Sequence, residues 1–238
     1  ADDFEETLGV NSRAQLAMAE HILRQRKNEE LMAAGVSIID PATTFVDADV
    51  EVGRDTVLYP MTYLESGTVI GENCEIGPSV RIQNTKIGND VTGQFLYAHD
   101  AVVDDRVKLG QFVHLRPGTH ICEGVKIDNF IEVKNSTIGK GSKLPHLSYI
   151  GDCDMGENVN MGCGTITVNY DGKKKFRTKI GNNAFVGCNS NLVAPVTVED
   201  GAYIAAGSTI TQTVPKDTLA VARARQKNIT GWVDKRKR

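Results

Sequence analysis

The sequence predicts an all-β protein: a parallel β-helix of hexapeptide repeats, preceded by one long N-terminal α-helix. Three observations predict it. Aliphatic residues recur every six positions, unbroken from Val46 through Val52, Leu58, Leu64, Ile70 and Ile76 to Ile82. Many of these anchors are followed by glycine, as in Ile70-Gly71, Ile76-Gly77 and Val186-Gly187. Ahead of them, residues 12–34 carry helical signals and none of that period. A period of six fits neither the 3.6 of a helix nor the alternation of a hairpin meander. Composition agrees, with 23 glycines, 6% aromatic residues and a single Trp in 238 residues.

Residues 1–10 are acidic and irregular, and the chain begins at Ala1, as a fragment or processed product would. Ser12-Arg13-Ala14-Gln15 fits a capping box. Leu16, Ala19 and Leu23 follow at helical spacing, and Gly35 is a C′ stop. The polar residues Glu20, Arg24, Arg26, Lys27, Glu29 and Glu30 form a solvated face, so the helix reads as a connector or packing arm.

Residues 36–215 are the β-helix. Six residues make one short strand and one tight corner, and three such units close a triangular coil of about 18 residues. Coils stack at the roughly 4.8 Å strand spacing. The anchor points into the prism and the next position is crowded, which favours glycine. The pattern resumes at Leu109, Leu115, Ile121, Ile127 and Val133, then Ile138, Leu144 and Ile150, then Ile180 through Ile210. About nine or ten coils fit.

Two breaks interrupt the phase. Near 83–108 the count slips, which predicts a short or distorted coil. Thr167–Lys179 predicts an extruded loop with five basic residues: Lys173, Lys174, Lys175, Arg177 and Lys179. It is either a solvated turn or a phosphate-binding arm. Residues 216–238 read as a polar arm and mobile basic tail, docked by Trp232.

Charge is balanced, 27 basic against 30 acidic residues, which argues against a nucleic-acid-binding protein. No apolar run approaches the roughly 20 residues of a membrane span. The five cysteines are odd in number and lack Cys-x-x-Cys spacing. That argues against a disulfide framework or structural zinc and for a reducing, cytoplasmic compartment.

Of the five histidines, His21 is helix surface. His114 and His120 lie on adjacent faces of one coil and should diverge, so a metal would need a subunit interface and His99 as well. His146 differs. It follows Pro145, interrupts the repeat two residues past Leu144, and has Ser148 and Tyr149 beside it. A lone histidine in a repeat is more often structural. Arg116 and Lys134, however, fall on neighbouring coils, and two cations around an imidazole suit a phosphorylated substrate that must lose a proton.

Asn129–Lys134 (NFIEVK), His146–Asp152 (HLSYIGD) and Asn158–Gly172 (NVNMGCGTITVNYDG) resemble the acetyltransferase domain of the bacterial bifunctional N-acetylglucosamine-1-phosphate uridyltransferase/glucosamine-1-phosphate acetyltransferase family. The resemblance covers essentially the whole chain and implies a left-handed coil. Residues 1–11 look like the end of that family's nucleotidyltransferase domain, 12–35 like its linker helix and 36–215 like its acetyltransferase domain. The glycine-rich nucleotide-binding start is absent, so the chain is expected to keep the acetylating half alone. The implied reaction moves acetyl from acetyl-CoA to the 2-amino group of glucosamine 1-phosphate, feeding UDP-N-acetylglucosamine and cell-wall precursor synthesis.

By that resemblance His146 is the general base, and Arg116, Lys134, Tyr149, Asn160 and Lys175 hold the sugar phosphate. Acetyl-CoA is met by the backbone N–H of Cys163 and by Asn169, Tyr170, Cys188, Ala206 and Arg223. Cys163 and Cys188 depart from the Ala and Ser common in the family, and the second change bears on a side-chain contact. Asn11 matches a Mg²⁺-binding residue of the complete protein and is expected to be an orphan here. The family packs as homotrimers with sites between subunits, without nucleic acid or membrane. A different acceptor on the same fold, or a non-catalytic trimeric scaffold, are the alternatives.

Overall fold

The computed structural model describes residues 9–236. Most of the acidic start and the end of the basic tail lie outside the described residues. Arg13–Ala33 forms the expected helix, capped by Ser12, whose Oγ accepts from the Gln15 N–H at 3.2 Å. The Gln15 side chain accepts from the Asn11 N–H at 2.7 Å, one residue ahead of the partner a strict capping box uses. Gly35 takes φ +99, and the Gly35 and Val36 N–H groups bond back to the Met32 and Leu31 carbonyls at 3.1 and 3.0 Å. That pair of bonds satisfies carbonyls the helix end would otherwise leave bare.

The expected apolar stripe does not attach the helix. Leu16 and Leu23 are exposed, whereas Asn28 and Leu31, nearer Gly35, are buried. The Asn28 amide donates to the Pro41 and Thr44 carbonyls, both at 3.2 Å. Arg24 lies 4.3 Å over the Phe45 ring rather than in open solvent. Only the C-terminal half of the helix thus packs on the first coil, where the chain turns back at Gly35.

From Ser37 the chain winds into a parallel solenoid of about ten coils. Three ladders form its faces. The first runs from Ser37–Ile38 to Leu219–Ala220, the second from Thr44–Val46 to Thr209–Ile210, the third from Glu51–Val52 to Val196–Val198. Lys126–Lys134 and Lys143–Gly151 each bend around the corner between the first and second faces. The hexad anchors fill the interior: Leu58, Leu64, Ile82, Leu144 and Ile150 are fully buried. Glycine after an anchor is a steric need, since a Cβ on Gly71 would stand 2.6 Å from the Gly88 carbonyl oxygen. Buried hydroxyls tie coils together. Ser142 Oγ donates to Gly156 O at 3.0 Å and accepts from the Val159 N–H at 2.9 Å.

The slip near 83–108 is a shortened coil. Gly93 pairs with Leu109 and Ile87 with Val103, each 16 residues on, whereas Leu58 pairs with Ile76, 18 on. Gly93 occupies an anchor position, and the Leu96 side chain fills the space: a Cβ on Gly93 would be 2.8 Å from Leu96 Cδ2. The extruded loop is shorter than expected at both ends, because Ile166–Val168 and Thr178–Ile180 are ladder strands. Nor does the repeat stop at Ile210. Val214 bridges to Val198 and Leu219–Ala220 pairs with Tyr203–Ile204, so a last coil runs past residue 215. The polar residues around Val214 and Ala220 concealed those anchors. Trp232 opens a short helix, Trp232–Arg236, and stands exposed, and of the basic run it meets the Arg236 guanidinium, 4.5 Å from the ring centroid.

Candidate active site

The second face carries an outward column in which His114, Glu132, Tyr149 and Ile166 lie side by side on successive coils. One position further along, Lys134 is in register with Gly151. Arg116 Nη1 donates to Glu132 Oε1 at 2.7 Å. Gly151 makes room here. A Cβ on it would lie 2.6 Å from Tyr149 Cζ and 2.8 Å from Asn169 Nδ2. The Tyr149 ring therefore lies across Gly151, and its hydroxyl meets the Asn169 amide at 3.5 Å.

Beneath this contact sits Asp152, buried, in the left-handed region at φ +50. Its carboxylate accepts from the Asn135 and Asn169 amides. Burial opposes its ionisation, but those amides and the nearby Lys134 and Lys175 ammoniums outweigh that, and its pKa lies below the usual carboxylate value. A carboxyl whose folded pKa is depressed adds stability above its unfolded pKa and loses it as pH falls through the folded one. Wild type should therefore lose more thermal stability than Asp152→Asn on going from pH 7 to below about pH 4. Equal losses in paired melts would remove Asp152 from the acid-sensitive groups.

The extruded loop delivers Lys175. Tyr170 and Lys175 form an antiparallel bridge, and Asp171 Oδ1 accepts from the Lys173 and Lys174 N–H groups at 2.8 and 2.7 Å. The Phe176 N–H returns to Asn169 O at 2.9 Å. Contact with Lys175 pushes the Lys134 pKa down, desolvation adds to this, and Arg116 acts in the same sense. Of the loop's other basic residues, Arg177 is committed to Asp154 and to the Asn135 carbonyl. The phosphate-arm reading thus rests on Lys175, which acts on Lys134.

His146 stands exposed at the corner between the first and second faces, in register with Asn129. Its carbonyl accepts from Ser148 Oγ at 3.0 Å, and Leu147 after it turns at φ +35. The same corner carries Cys163, Cys188 and Ala206 on the following coils. The Gly164, Asn189 and Gly207 N–H groups donate to the Leu147, Cys163 and Cys188 carbonyls at 2.8, 2.7 and 2.8 Å. Arg223 Nη1 closes the row on the Ala206 carbonyl at 2.8 Å. Five residues, at most about 16 Å of extended chain and bent at the corner, separate His146 from Gly151. Asn160 pairs with Lys143 and Phe185, on the first face.

One chain thus brings the expected residues into two groups. Arg116, Lys134, Tyr149, Asn169 and Lys175 gather on the second face. His146, Cys163, Cys188, Ala206 and Arg223 line the corner. Asn160 lies around that corner on the other face, and Tyr170 is exposed on the loop. Asn11 is exposed before the helix, and one amide is far short of the six oxygens Mg²⁺ prefers. Asp152, Glu132 and Gly151 were missed as site residues. Asp152 and Gly151 close the HLSYIGD motif, yet only the 17-residue register reveals what they support.

His114 and His120 diverge as expected, whereas the His99 and His114 rings lie 5.7 Å apart between centroids. Tyr97 stacks on His99 and His114 at 4.9 and 5.0 Å between ring centroids. Burial pushes the His114 pKa down. His120 points from the third face, where its Nε2 meets Asp104 Oδ1 at 3.0 Å.

The family described as Bacterial transferase hexapeptide (six repeats) matches residues 49–84 and 177–212. A protein named Bifunctional protein GlmU, from Geobacillus sp. (strain WCH70), is 57% identical over 235 residues, 99% of this chain and 51% of its own length. The protein of that name from Caldanaerobacter subterraneus subsp. tengcongensis is 56% identical over 234 residues, 98% of this chain and 51% of its own. The chain spans about half the length of the curated relatives it matches. Among solved structures, Arabidopsis UDP-N-acetylglucosamine acyltransferase superposes with a TM-score of 0.57 at 15% identity, over 82% of this chain and 75% of that one. That likeness is one of fold.

Proposed function

The chain belongs to the GlmU family, and from that premise we propose that it is the acetyl-transferring half of such a protein, a glucosamine-1-phosphate N-acetyltransferase using acetyl-CoA. The observation that carries the acceptor is the Lys134–Lys175 contact. The Lys134 and Lys175 ammoniums act against each other near Arg116, the buried Asp152 carboxylate and the Glu132 partner of Arg116 offset two of these three positive charges, and a phosphate neutralises the remainder. Arg116, Lys134 and Lys175 hold the phosphate, and Tyr149 and Asn160 close on the sugar.

His146 takes the proton from the 2-amino group. The nitrogen lone pair attacks the thioester carbonyl, the C–S bond breaks, and CoA leaves as a thiol after protonation. An amine freed of its proton is nucleophilic enough that no covalent enzyme intermediate is needed. The Cys163 N–H, which has no backbone partner among the described residues, donates to the developing oxyanion. The donor runs along the corner past Cys188 and Ala206 to Arg223, which meets CoA phosphate. Asn169 and Tyr170 touch its pantetheine arm.

The division of these residues around a convex corner supports assembly. Asn160 and Lys134 stand on different faces of one prism, on either side of the His146 corner, and a second copy that brings its face to that corner, as in a homotrimer, completes the site. A monomer is then inactive, and sizing beside activity tests that.

Thiol release from acetyl-CoA, with glucosamine 1-phosphate, glucosamine 6-phosphate and glucosamine as parallel acceptors, tests the reaction. Turnover with the 1-phosphate alone supports the proposal, and turnover only with another acceptor overturns the substrate. Lys134→Ala should raise the KM for the sugar phosphate by about 10–100-fold, the effect of losing a charge-assisted contact of about 1.5–3 kcal/mol. An unchanged KM removes Lys134 from the site.

A further inference from the structure

On the third face the residue after each anchor donates its N–H to the anchor carbonyl of the next coil. That residue is glycine at positions 53, 71, 88, 139, 156 and 181, Glu199 on the last coil, and Asp104 and Cys122 on two successive coils among the glycines. At the glycines a side chain is excluded. A Cβ on Gly88 would stand 2.8 Å from the Asp105 nitrogen, and one on Gly156 would stand 2.9 Å from the Gly181 carbonyl carbon. Apart from Glu199 at the end of the column, the rule is broken twice, at neighbouring places between glycines, by two metal-ligating residue types.

A third ligand joins them. His120 is in register with Val102 and reaches back to Asp104, Nε2 to Oδ1 at 3.0 Å. One donor atom from each of Asp104, His120 and Cys122 lies within 4.8 Å of the other two. The Cys122 thiol is free and all three residues are partly exposed. A depression of about 420 Å³ lined by Lys86, Asp104, Asp105 and Glu123 borders the cluster at Asp104. The neighbouring Glu123 is already taken by Arg106 and Lys140.

We propose that Asp104, His120 and Cys122 form a three-ligand site for a divalent cation of the zinc class, with water at the fourth position. One oxygen, one nitrogen and one sulfur suit a borderline cation, whereas Mg²⁺ and Ca²⁺ take oxygen alone. Tetrahedral bonds of about 2.0–2.3 Å need ligand atoms roughly 3.3–3.8 Å apart, within reach of side-chain rotation from the present spacing. On binding, the Cys122 S–H proton passes to solvent as the sulfur–metal bond forms, and the Nε2 lone pair of neutral His120 completes the set. The site lies on a different face from Lys134 and Tyr149 and pins two successive coils together. Cysteine spacing in the sequence could not disclose it, because the coil, not the chain, makes these residues neighbours.

The test is titration of the full chain, reduced and stripped with chelator, with Co²⁺ and then Zn²⁺. One equivalent of Co²⁺ should bind with a thiolate-to-cobalt charge-transfer band that Zn²⁺ removes and Mg²⁺ does not. Cys122→Ser should abolish the band, and a Cys163→Ser/Cys188→Ser double variant should keep it. Asp104→Asn, with a wild-type melting profile in the absence of metal, should weaken Co²⁺ binding by more than the roughly 10–100-fold cost of an outer-shell change. No band in wild type, an undiminished band in Cys122→Ser, or displacement by Mg²⁺ overturns the proposal.

Discussion

His146→Ala lowers kcat by about a hundred- to ten-thousand-fold, the range for a positioned general base, and leaves acetyl-CoA affinity unchanged. The structure makes this a clean substitution. The ring is exposed at its corner and makes no hydrogen bond or ion pair among the described residues, so truncation costs the fold nothing. The local backbone is held by Ser148 Oγ on the His146 carbonyl and by the Gly164 N–H on the Leu147 carbonyl, neither of which needs the imidazole. Thiol release gives kcat, and a direct binding titration gives the donor affinity. A variant that turns over at near wild-type rate removes His146 as the base. One that loses donor binding as well shows that the ring belongs to the acetyl-CoA row.

Gly139→Val destabilises the protein by about 3 kcal/mol, the upper part of the overpacking range, and lowers Tm by about 6–12 °C. A Cβ at Gly139 would meet the backbone of Gly156, 2.8 Å from the Met155 carbonyl oxygen and nearer still to Gly156 itself. Backbone in a ladder cannot step aside as a side-chain tip can. The matched control is Gly124→Asn. Gly124 sits at φ +68 with nothing within 4 Å of an added Cβ, and asparagine already takes that conformation at Asn158, φ +54. If both variants melt with wild type, crowding at the post-anchor column is not what selects glycine there.

The period of six made most of the fold legible, because each anchor answers to one local demand, an aliphatic side chain facing the prism. It failed where a neighbour answered instead. At Gly93 the Leu96 side chain does the filling, and at Val214 and Ala220 the surrounding residues are polar. The helix was legible from its caps but not its attachment, since Asn28 buries an amide for the sake of two carbonyls that no apolar pattern announces. Single candidate site residues were named from motif resemblance. Their grouping was not, because Lys134, Gly151 and Asn169 become neighbours only through coil register, and Asn160 is carried around the corner from them.

The loop at 169–177 enters between Met155 and Ile180, which pair 25 residues apart, where Ile138 and Met155 pair at 17. The ladders above and below it continue in register as though nothing had been added. Loop length at that corner is therefore uncoupled from the core, and the tip that brings Lys175 to Lys134 can be lengthened or shortened without repacking a coil, provided Asn169 and Arg177 keep their bonds to Asp152 and Asp154. It behaves as a replaceable fitting on a fixed chassis, and on the proposed function it is the place where acceptor preference could be altered without disturbing the architecture that carries it.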